Sequence, residues 1–377
     1  MLWSSSCVIS SSVWAEPMRT LEQIRHEIDA IDDEIVQLIS RRARCAQEVA
    51  AVKKAAGEQP LQFYRPEREA QVLSRVMANN PGPLPQEEIA RLFRELMSAC
   101  LALEQPLRVV FLGPSGTFTQ AAALKHFGHS VRTEGLASID EVFREVTAGA
   151  ADYGVVPIEN SSEGVVTHTL DSFMSSQLRI IGEVELRIHH NLLVADVTRV
   201  AAISRIYSHQ QSLAQCRKWL DAHYPNVEKV AVSSNAEAAR RVQGEWHSAA
   251  IAGDMAASLY GLTILHPSIE DEPDNTTRFL IIGAQQVNAS GRDKTSILVF
   301  THDRSGALHA LLEPFSRQGI SLTRVESRPS RQHLWSYVFF IDFEGHESDP
   351  AVAQALAEIR ACALDVKVLG SYPRAVL

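Results

Sequence analysis

The stretch LEQIRHEIDAIDDEIVQLISRRARCAQEVAAV, residues 21–52, decides the fold of the first part of the chain. Its apolar residues recur at alternating spacings of three and four, which places them on one stripe of an α-helix. The stripe consists of Leu21, Ile24, Ile28, Ile31, Ile35, Leu38, Cys45, Val49 and Val52. A stripe this long has to be buried against another helix or another copy of the chain. The stretch therefore predicts one long helix and a homodimer or larger homo-oligomer.

Two shorter helical patterns follow this stretch. One carries residues 68–76, and after a proline-rich turn at residues 81–85 the next carries residues 89–100. Together with the long helix they predict an all-α unit over residues 18–105. The serine-rich residues 1–17 lack the basic start and the unbroken apolar core of a signal peptide, so we expect a disordered N-terminal extension there.

The pattern changes to short β-branched runs alternating with helical stretches from residue 106 onward, beginning with RVVFL at residues 108–112. Such alternation predicts an α/β unit, which we bound at residues 106–285. After the polar linker QQVNASGRDK, the predicted elements follow the order βαββαβ over residues 294–372. That order is typical of a small α+β ferredoxin-like unit. We therefore expect three units of different class in a chain of 377 residues.

The composition limits what these units bind. A net charge of -9 is the opposite of the Lys and Arg surplus that nucleic-acid binding needs. No stretch approaches the ~20 consecutive apolar residues of a membrane span. The five cysteines are scattered without metal-ligand spacing. We therefore expect a cytoplasmic protein with no nucleic-acid partner, no membrane segment, no metal and no cofactor.

Cations occupy positions of the helical unit where apolar residues are expected. Arg42 stands in the stripe of the first helix, and a buried guanidinium is costly unless an anion lies beside it. Lys53 follows eleven residues on, about 20° around the helix at ~100° per residue, so the two cations share a face. Arg25 lies about 100° from that face by the same count, and it reaches the same site more easily from a second subunit. The alternative is that Arg42 pairs with a carboxylate inside the bundle.

With Arg68 and Glu69 on the second helix and Cys100 and Glu104 on the third, this unit resembles the all-helical class of chorismate mutases. The resemblance implies that Arg42, Lys53 and the partner subunit's Arg25 bind the carboxylates and the ether oxygen of chorismate. It further implies substrate contacts from Arg68, Glu69, Cys100 and Glu104. Many family members have Gln where this chain has Glu104, and only a protonated carboxyl could donate a hydrogen bond to the ether oxygen. Arg42, Lys53 and Glu104 are the expected catalytic residues.

The α/β unit contains four segments that resemble, in this order, the prephenate dehydratase domain. They are VVPIENSSEGVVTHTLDSF (155–173), YSHQQSLAQC (207–216), AIAGDMAASLYGL (250–262) and NTTRFLII (275–282). Ahead of them, the turn GPSGTFTQ (113–120) lies between a strand and a helix start, where backbone N–H groups and hydroxyls can bind an anion. The resemblance implies two α/β lobes around a cleft, similar to periplasmic binding proteins, and conversion of prephenate to phenylpyruvate. Thr277 is expected at the leaving hydroxyl and Arg278 as a carboxylate clamp. The expected polar lining consists of Ser115, Thr117, Asn160, Ser161, Ser208 and Gln215.

Some of these residues have structural alternatives. Asn160 could cap a turn, Arg278 could form a salt bridge between lobes, and the neighbours His189 and His190 are more often a packed, hydrogen-bonded pair than metal ligands.

In the last unit, DRSGALHALLEPF (303–315) and TRVESRP (323–329) resemble the ACT domain attached to dehydratases of this pathway. The resemblance implies a phenylalanine effector held by Gly306, Ala307, Leu308, Glu326, Ser327 and Arg328. The alternative for this unit is a plain dimerisation module.

Together the resemblances predict a bifunctional chorismate mutase/prephenate dehydratase, restrained by phenylalanine. Two other hypotheses are a monofunctional dehydratase with a helical dimerisation segment, and a nonenzymatic amino-acid-binding regulator.

Overall fold

A computed structural model of the chain describes residues 19–56, 62–301, 304–329 and 337–376. The predicted N-terminal extension, residues 1–17, lies outside the described residues. Within the described ranges, none of the helices combines the length and the apolar character that crossing a membrane requires.

The helical unit consists of α1 (Leu21–Ala55), α2 (Pro66–Ala78) and α3 (Gln86–Glu104). A capping box starts α1, because the Thr20 hydroxyl accepts from the Gln23 N–H while the Gln23 side chain accepts from the Thr20 N–H. Every residue from 21 to 39 is exposed, and burial on α1 begins at Ser40. The N-terminal half of the apolar stripe is therefore uncovered in a single chain.

The α/β unit is divided into two lobes, each built on one sheet. The first lobe has strand order β2-β1-β3-β11-β5, with β4 beside β3. Its strands are β1 (Arg108–Leu112), β2 (Arg132–Leu136), β3 (Tyr153–Asn160), β4 (Gly164–Val165), β5 (Arg179–Arg187) and β11 (Thr276–Gly283). Its helices are α4 (Phe118–Phe127), α5 (Ile139–Thr147) and α6 (Thr167–Ser175). Strand β11 is antiparallel to both of its neighbours, β3 and β5.

The second lobe has strand order β10-β6-β9-β7-β8. Its strands are β6 (Asn191–Val194), β7 (Arg205–His209), β8 (Glu228–Val232), β9 (Ser248–Ala252) and β10 (Thr263–His266). Its helices are α7 (Gln210–Gln215), α8 (Arg217–His223), α9 (Asn235–Val242) and α10 (Asp254–Tyr260), with a short 3-10 turn at Val200–Ala202. The chain enters this lobe after β5 and returns to the first lobe in β11, so two crossing segments connect the lobes.

The last unit is a four-stranded antiparallel sheet with order β13-β14-β12-β15. It is built from β12 (Asp293–Thr301), α11 (Ala307–Arg317), β13 (Leu322–Pro329), β14 (Tyr337–Glu344), α12 (Pro350–Cys362) and β15 (Asp365–Pro373). One face of the sheet packs on its two helices, and Leu298 and Phe340 on the other face join the core of the first lobe. At Gly370 on β15 an added Cβ would collide with the carbonyl oxygen of Ile180 on β5, so the two sheets approach closely there.

The predicted fold class is confirmed for all three units, including the βαββαβ order of the last one. The α+β unit does not stand apart, because it shares a buried core with the first lobe.

Candidate functional site

An open cleft of about 800 Å³ separates the two lobes. Four helices begin at this cleft, with the N-cap residues Thr117 (α4), His209 (α7), Ser234 (α9) and Gly253 (α10) all in its lining. The N–H groups of the first turn of a helix lack partners within the helix and carry partial positive charge. Among the described residues that line the cleft, none is a lysine or an arginine. The cleft is therefore suited to anions that are bound through N–H groups and hydroxyls.

Asn160 and Thr277 face each other on adjacent strands at the base of the cleft. The Asn160 Oδ1 atom accepts from the backbone N–H groups of Ser162 and Glu163, each at 3.0 Å. This arrangement fixes the orientation of the amide, so Nδ2 is the donor on the other side. It donates to Thr277 Oγ1 at 2.7 Å and to Asn275 Oδ1 at 2.7 Å.

The direction of this hydrogen bond determines what the Thr277 hydroxyl can do. Its oxygen accepts from Asn160, and within the described part of the chain this is the hydrogen bond that Thr277 makes through its side chain. The hydroxyl hydrogen is therefore available to an acceptor in the cleft.

An amide and imidazole network continues from Asn275. Asn275 Nδ2 donates to Gln215 Oε1 at 3.3 Å, and His190 Nε2 lies 2.8 Å from the same oxygen. Since Gln215 Oε1 can only accept, His190 donates from Nε2 and its Nδ1 is unprotonated. Burial lowers the pKa of His190, which keeps the ring neutral. Gln215 in turn donates to Glu163 Oε1 at 3.2 Å.

His190 and Asn275 are not among the predicted site residues. His189, the residue before His190, is hydrogen-bonded to Glu270 at 2.8 Å. Both histidines are hydrogen-bonded, as the alternative to metal ligation predicted, but His190 also lines the cleft.

Of the predicted dehydratase residues, Thr117, Asn160, Gln215 and Thr277 line the cleft. Three predicted serines have structural contacts instead. The Ser208 hydroxyl is buried and donates to the Ile251 carbonyl at 2.9 Å, and Ser161 Oγ accepts from the Thr276 N–H at 2.9 Å. The Ser115 carbonyl accepts from the Tyr260 hydroxyl of the second lobe at 3.2 Å, which connects the lobes beside the cleft.

Arg278 points away from the cleft, contrary to the carboxylate-clamp role that we expected. Its Nη1 lies 3.1 Å from Glu159 Oε1, its Nε 3.0 Å from Glu183 Oε2 and its Nη2 2.6 Å from Asp342 Oδ2. Successive residues of a strand face opposite sides, so Arg278 and its neighbour Thr277 cannot both enter the cleft. Asp342 belongs to β14, and Arg278 therefore connects the first lobe to the last unit.

In the helical unit, Arg42, Lys53 and Glu104 lie close enough to interact. Burial raises the pKa of Glu104, while the charges of Lys53 and Arg42 lower it by less. Among the described residues, the buried Oε2 atom of Glu104 has no hydrogen-bond partner. Lys53 donates to the Gln62 carbonyl at 3.0 Å and lies over the Phe63 ring. A buried carboxyl oxygen without a partner beside two cations indicates a place for a polar ligand.

The other predicted mutase residues are placed differently. Cys100 is buried one turn before Glu104, while Arg68 and Arg25 are exposed. Glu69 pairs with Arg94 at 3.2 Å, and Arg94 also donates to the Lys125 carbonyl at 2.9 Å. Glu69 therefore pairs with the arginine that joins the helical unit to the first lobe, which differs from the substrate contact that we expected.

In the last unit, Gly306 adopts φ +80° and forms the N-cap of α11. Gly306, Ala307 and Leu308 line a pocket of about 240 Å³ together with Tyr337 and Phe339. The predicted effector residues Glu326, Ser327 and Arg328 lie on β13, beside β14, and do not line this pocket. Arg328 instead contacts Asp171 of α6 at 3.5 Å.

Comparison with known proteins adds independent findings. The family models of chorismate mutase type II, prephenate dehydratase and the ACT domain match residues 24–105, 109–287 and 295–361. A bifunctional chorismate mutase/prephenate dehydratase of Pseudomonas aeruginosa is 64% identical over 95% of this chain and 98% of that protein. The protein of the same name from Escherichia coli K12 is 31% identical over 93% of this chain and 95% of its own length.

Among solved structures, a prephenate dehydratase from Arthrobacter aurescens in complex with L-Phe has a TM-score of 0.66 at 38% identity. It covers 71% of this chain and 90% of its own. The matched mutase region favours two activities over a monofunctional dehydratase. The chain belongs to the family of bifunctional chorismate mutase/prephenate dehydratases, with a C-terminal ACT domain.

Proposed function

We propose that the two reactions take place at separate sites within domains bounded at residues 18–105 and 106–285, with an ACT domain at residues 294–372. Chorismate rearranges to prephenate beside Arg42, Lys53 and Glu104, and prephenate becomes phenylpyruvate in the cleft. The observation that carries the proposal is the hydrogen bond from Asn160 to Thr277, which leaves the Thr277 proton available to a leaving hydroxyl. The free cysteines among the described residues are consistent with a cytoplasmic protein.

The mutase reaction needs positioning and charge rather than a nucleophile. The rearrangement is pericyclic, so the protein has to bind a dianion in a chair-like conformation and stabilise negative charge that develops on the ether oxygen. Arg42 and Lys53 supply positive charge. Protonated Glu104 donates a hydrogen bond to the ether oxygen, and its raised pKa favours the protonated form. Arg68 and Cys100 complete the substrate contacts in this proposal.

A second copy of the chain completes the mutase site. Arg25 and Arg42 are seventeen residues apart on α1, about 25 Å along the helix axis, so both cannot reach one substrate from one helix. Leu21 and Leu38 of the apolar stripe are 64% and 62% exposed. A homodimer that pairs two α1 helices buries this stripe and brings Arg25 of the partner subunit to the site.

The dehydratase cleft has to bind two carboxylates and protonate the departing hydroxyl. The four helix N-termini supply N–H groups for the carboxylates, Thr117 and Gln215 add polar contacts, and Thr277 donates to the leaving oxygen. The ring becomes aromatic as CO2 and water leave. A threonine hydroxyl is a weak acid, so Thr277 orients or relays the proton that completes the water.

The ACT domain binds phenylalanine in the pocket at Gly306–Leu308. The free N–H groups at the start of α11 suit the carboxylate of an amino acid, and Leu308 and Phe339 provide apolar surface for its ring. Glu326, Ser327 and Arg328 contribute from β13 in the assembled oligomer. Binding of phenylalanine restrains the dehydratase.

Thr277→Ala is expected to lower phenylpyruvate formation by at least about 100-fold while chorismate consumption continues. The measurement supplies chorismate alone and follows prephenate and phenylpyruvate. Thr276→Ala is the matched control, since Thr276 is the preceding residue of β11 and its hydroxyl donates to the Asp274 carbonyl. A Thr277→Ala variant that retains the dehydratase rate would remove Thr277 from the mechanism.

Mutase activity is expected to fall as the pH rises through the raised pKa of Glu104, because the carboxyl then loses the proton that it donates. Glu104→Gln keeps a donor at every pH and should flatten this profile. The control is the dehydratase profile of the same variant, which should not change. A mutase profile that is identical in both proteins contradicts the role of Glu104.

Arg25→Ala and Arg42→Ala are each expected to lose most of the mutase activity. If the site is shared between subunits, mixing the two variants after unfolding and refolding together restores activity, because mixed dimers contain one intact site. The measurement compares the mixture with each variant refolded alone. No gain on mixing contradicts a site that is shared between subunits.

Leu308→Asp is expected to abolish the lowering of the dehydratase rate by added phenylalanine, because a carboxylate in the pocket repels that of the ligand. The readout is the ratio of rates with and without phenylalanine. Leu364→Asp is the control, since Leu364 is an exposed leucine of the same domain outside this pocket. An unaltered response in Leu308→Asp places the effector elsewhere.

A further inference from the structure

A row of amide groups along the cleft has one fixed hydrogen-bond direction. Asn160 Oδ1 accepts from two backbone N–H groups, so the Asn160 amide donates from Nδ2 to Asn275 Oδ1 at 2.7 Å. Asn275 then donates from its own Nδ2, and the acceptor is Gln215 Oε1 at 3.3 Å. Each amide is thus oriented by the one before it, and Gln215 is left with Nε2 as its donor group.

His190 makes the shorter of the two contacts that hold the Gln215 oxygen. Its Nε2 lies 2.8 Å from Gln215 Oε1. His190 is 1% exposed, and its ring packs edge-on against Phe118 with 5.6 Å between the ring centroids. A donor on a buried and packed ring keeps its place, so His190 fixes the side on which the Gln215 amide accepts.

The backbone of His190 is held where two chain segments cross between the lobes. His190 lies on the first segment, between β5 and β6. Its N–H donates to Glu270 Oε2 at 2.9 Å, and its carbonyl accepts from the Ile269 N–H at 2.7 Å. Glu270 and Ile269 belong to the second segment, between β10 and β11, which ends at Asn275. Gln215 is therefore oriented by groups at the junction of the lobes, where His190 and Asn275 also line the cleft.

One N–H group of Gln215 remains for a ligand. A glutamine amide carries two N–H groups at Nε2. Within the described part of the chain, Nε2 makes one hydrogen bond, to Glu163 Oε1 at 3.2 Å. Because Gln215 lines the cleft, its second N–H is available to an acceptor there. Carboxylate and keto oxygens are acceptors, and prephenate carries both.

We propose that His190 is a positioning residue for prephenate, and that it holds the Gln215 amide so that the second Nε2 N–H meets a carboxylate or keto oxygen of the substrate. The proposal rests on the function proposed above for the cleft. Without His190, the longer contact from Asn275 is the one that holds Gln215 Oε1 among the described residues. The amide can then turn its oxygen toward an anionic substrate, which weakens substrate binding more than it slows the reaction at Thr277.

His190→Met is expected to raise the dehydratase KM for prephenate by about 10-fold, with a smaller change in kcat, because a hydrogen bond to a charged group has an effect of this size. His190→Gln should recover most of the loss. Gln and Met side chains have similar length, and only Gln supplies an N–H near the position of the histidine Nε2. Both variants lose the ring that packs on Phe118, so a packing defect alone would affect them equally.

His189→Met is the control for position. His189 is hydrogen-bonded to Glu270 at 2.8 Å and is not among the residues that line the cleft, so this variant should keep the wild-type KM. Mutase activity, measured in each full-length preparation, should be the same as in the wild type.

A double variant tests whether His190 acts through Gln215. Gln215→Met should raise the KM by itself, and adding His190→Met should raise it little further, because both changes remove the same contact. The proposal is overturned if His190→Met keeps the wild-type KM, if His190→Gln is no better than His190→Met, or if the effects of the two Met substitutions on KM multiply.

A failure of this proposal can be distinguished from a failure of the proposed function. If Gln215→Met leaves the KM unchanged, Gln215 is not a substrate contact, and the role of His190 falls with it. If Gln215→Met raises the KM while His190→Met does not, the positioning role of His190 alone is wrong. Thr277→Ala tests the proposed proton donor independently of both.

Discussion

The burial of the Arg278 guanidinium among three carboxylates constrains the rest of the structure. An ionised group that is 7% exposed is stable in a protein only when its partners are complete, and these partners come from β3, β5 and β14. The first lobe and the ACT domain therefore cannot separate without leaving charges unpaired. Apolar residues around the cluster, including Leu280 and Phe340, are buried in the same contact. This contact places the ACT domain against the rear of the strand that carries Thr277.

The two proposed sites are suited to similar dianions in different ways. In the proposed mutase site, full charges at Arg42 and Lys53 suit a rearrangement in which both carboxylates remain on the product. In the dehydratase reaction one carboxylate leaves as neutral CO2, and a strong ion pair to that group would stabilise the ground state more than the transition state. In the proposed cleft, N–H donors at several helix N-termini would bind the substrate while stabilising this ground state less. The position of Arg278 outside the cleft is consistent with that requirement.

Sequence patterns predicted the classes of the three units because each unit has its own spacing of apolar residues and its own order of helical and β-branched runs. The stripe of α1 and the order of the last unit are local features, and both appear in the structure. The site was predicted in part. The Arg278 assignment overlooked the alternation of a strand, which already separates it from Thr277. The pairing of Glu69 with Arg94 and the hydrogen bonds of His190 depend on contacts between distant segments, and no spacing along the chain indicates them.

The helical unit and the first lobe stabilise each other through the contact between them. Arg94 donates to the Lys125 carbonyl, and the Tyr64 hydroxyl lies 2.9 Å from His126 Nε2 across the same contact. Burial lowers the pKa of His126 to about 3, so the imidazole stays neutral when the contact is formed. Removing the lobe would expose the Tyr64 ring. Of the partners that Arg94 has within the described residues, only Glu69 would then remain. Residues 62–65, which include Gln62 beside Lys53 and Tyr64 at this contact, are therefore positioned by the dehydratase domain.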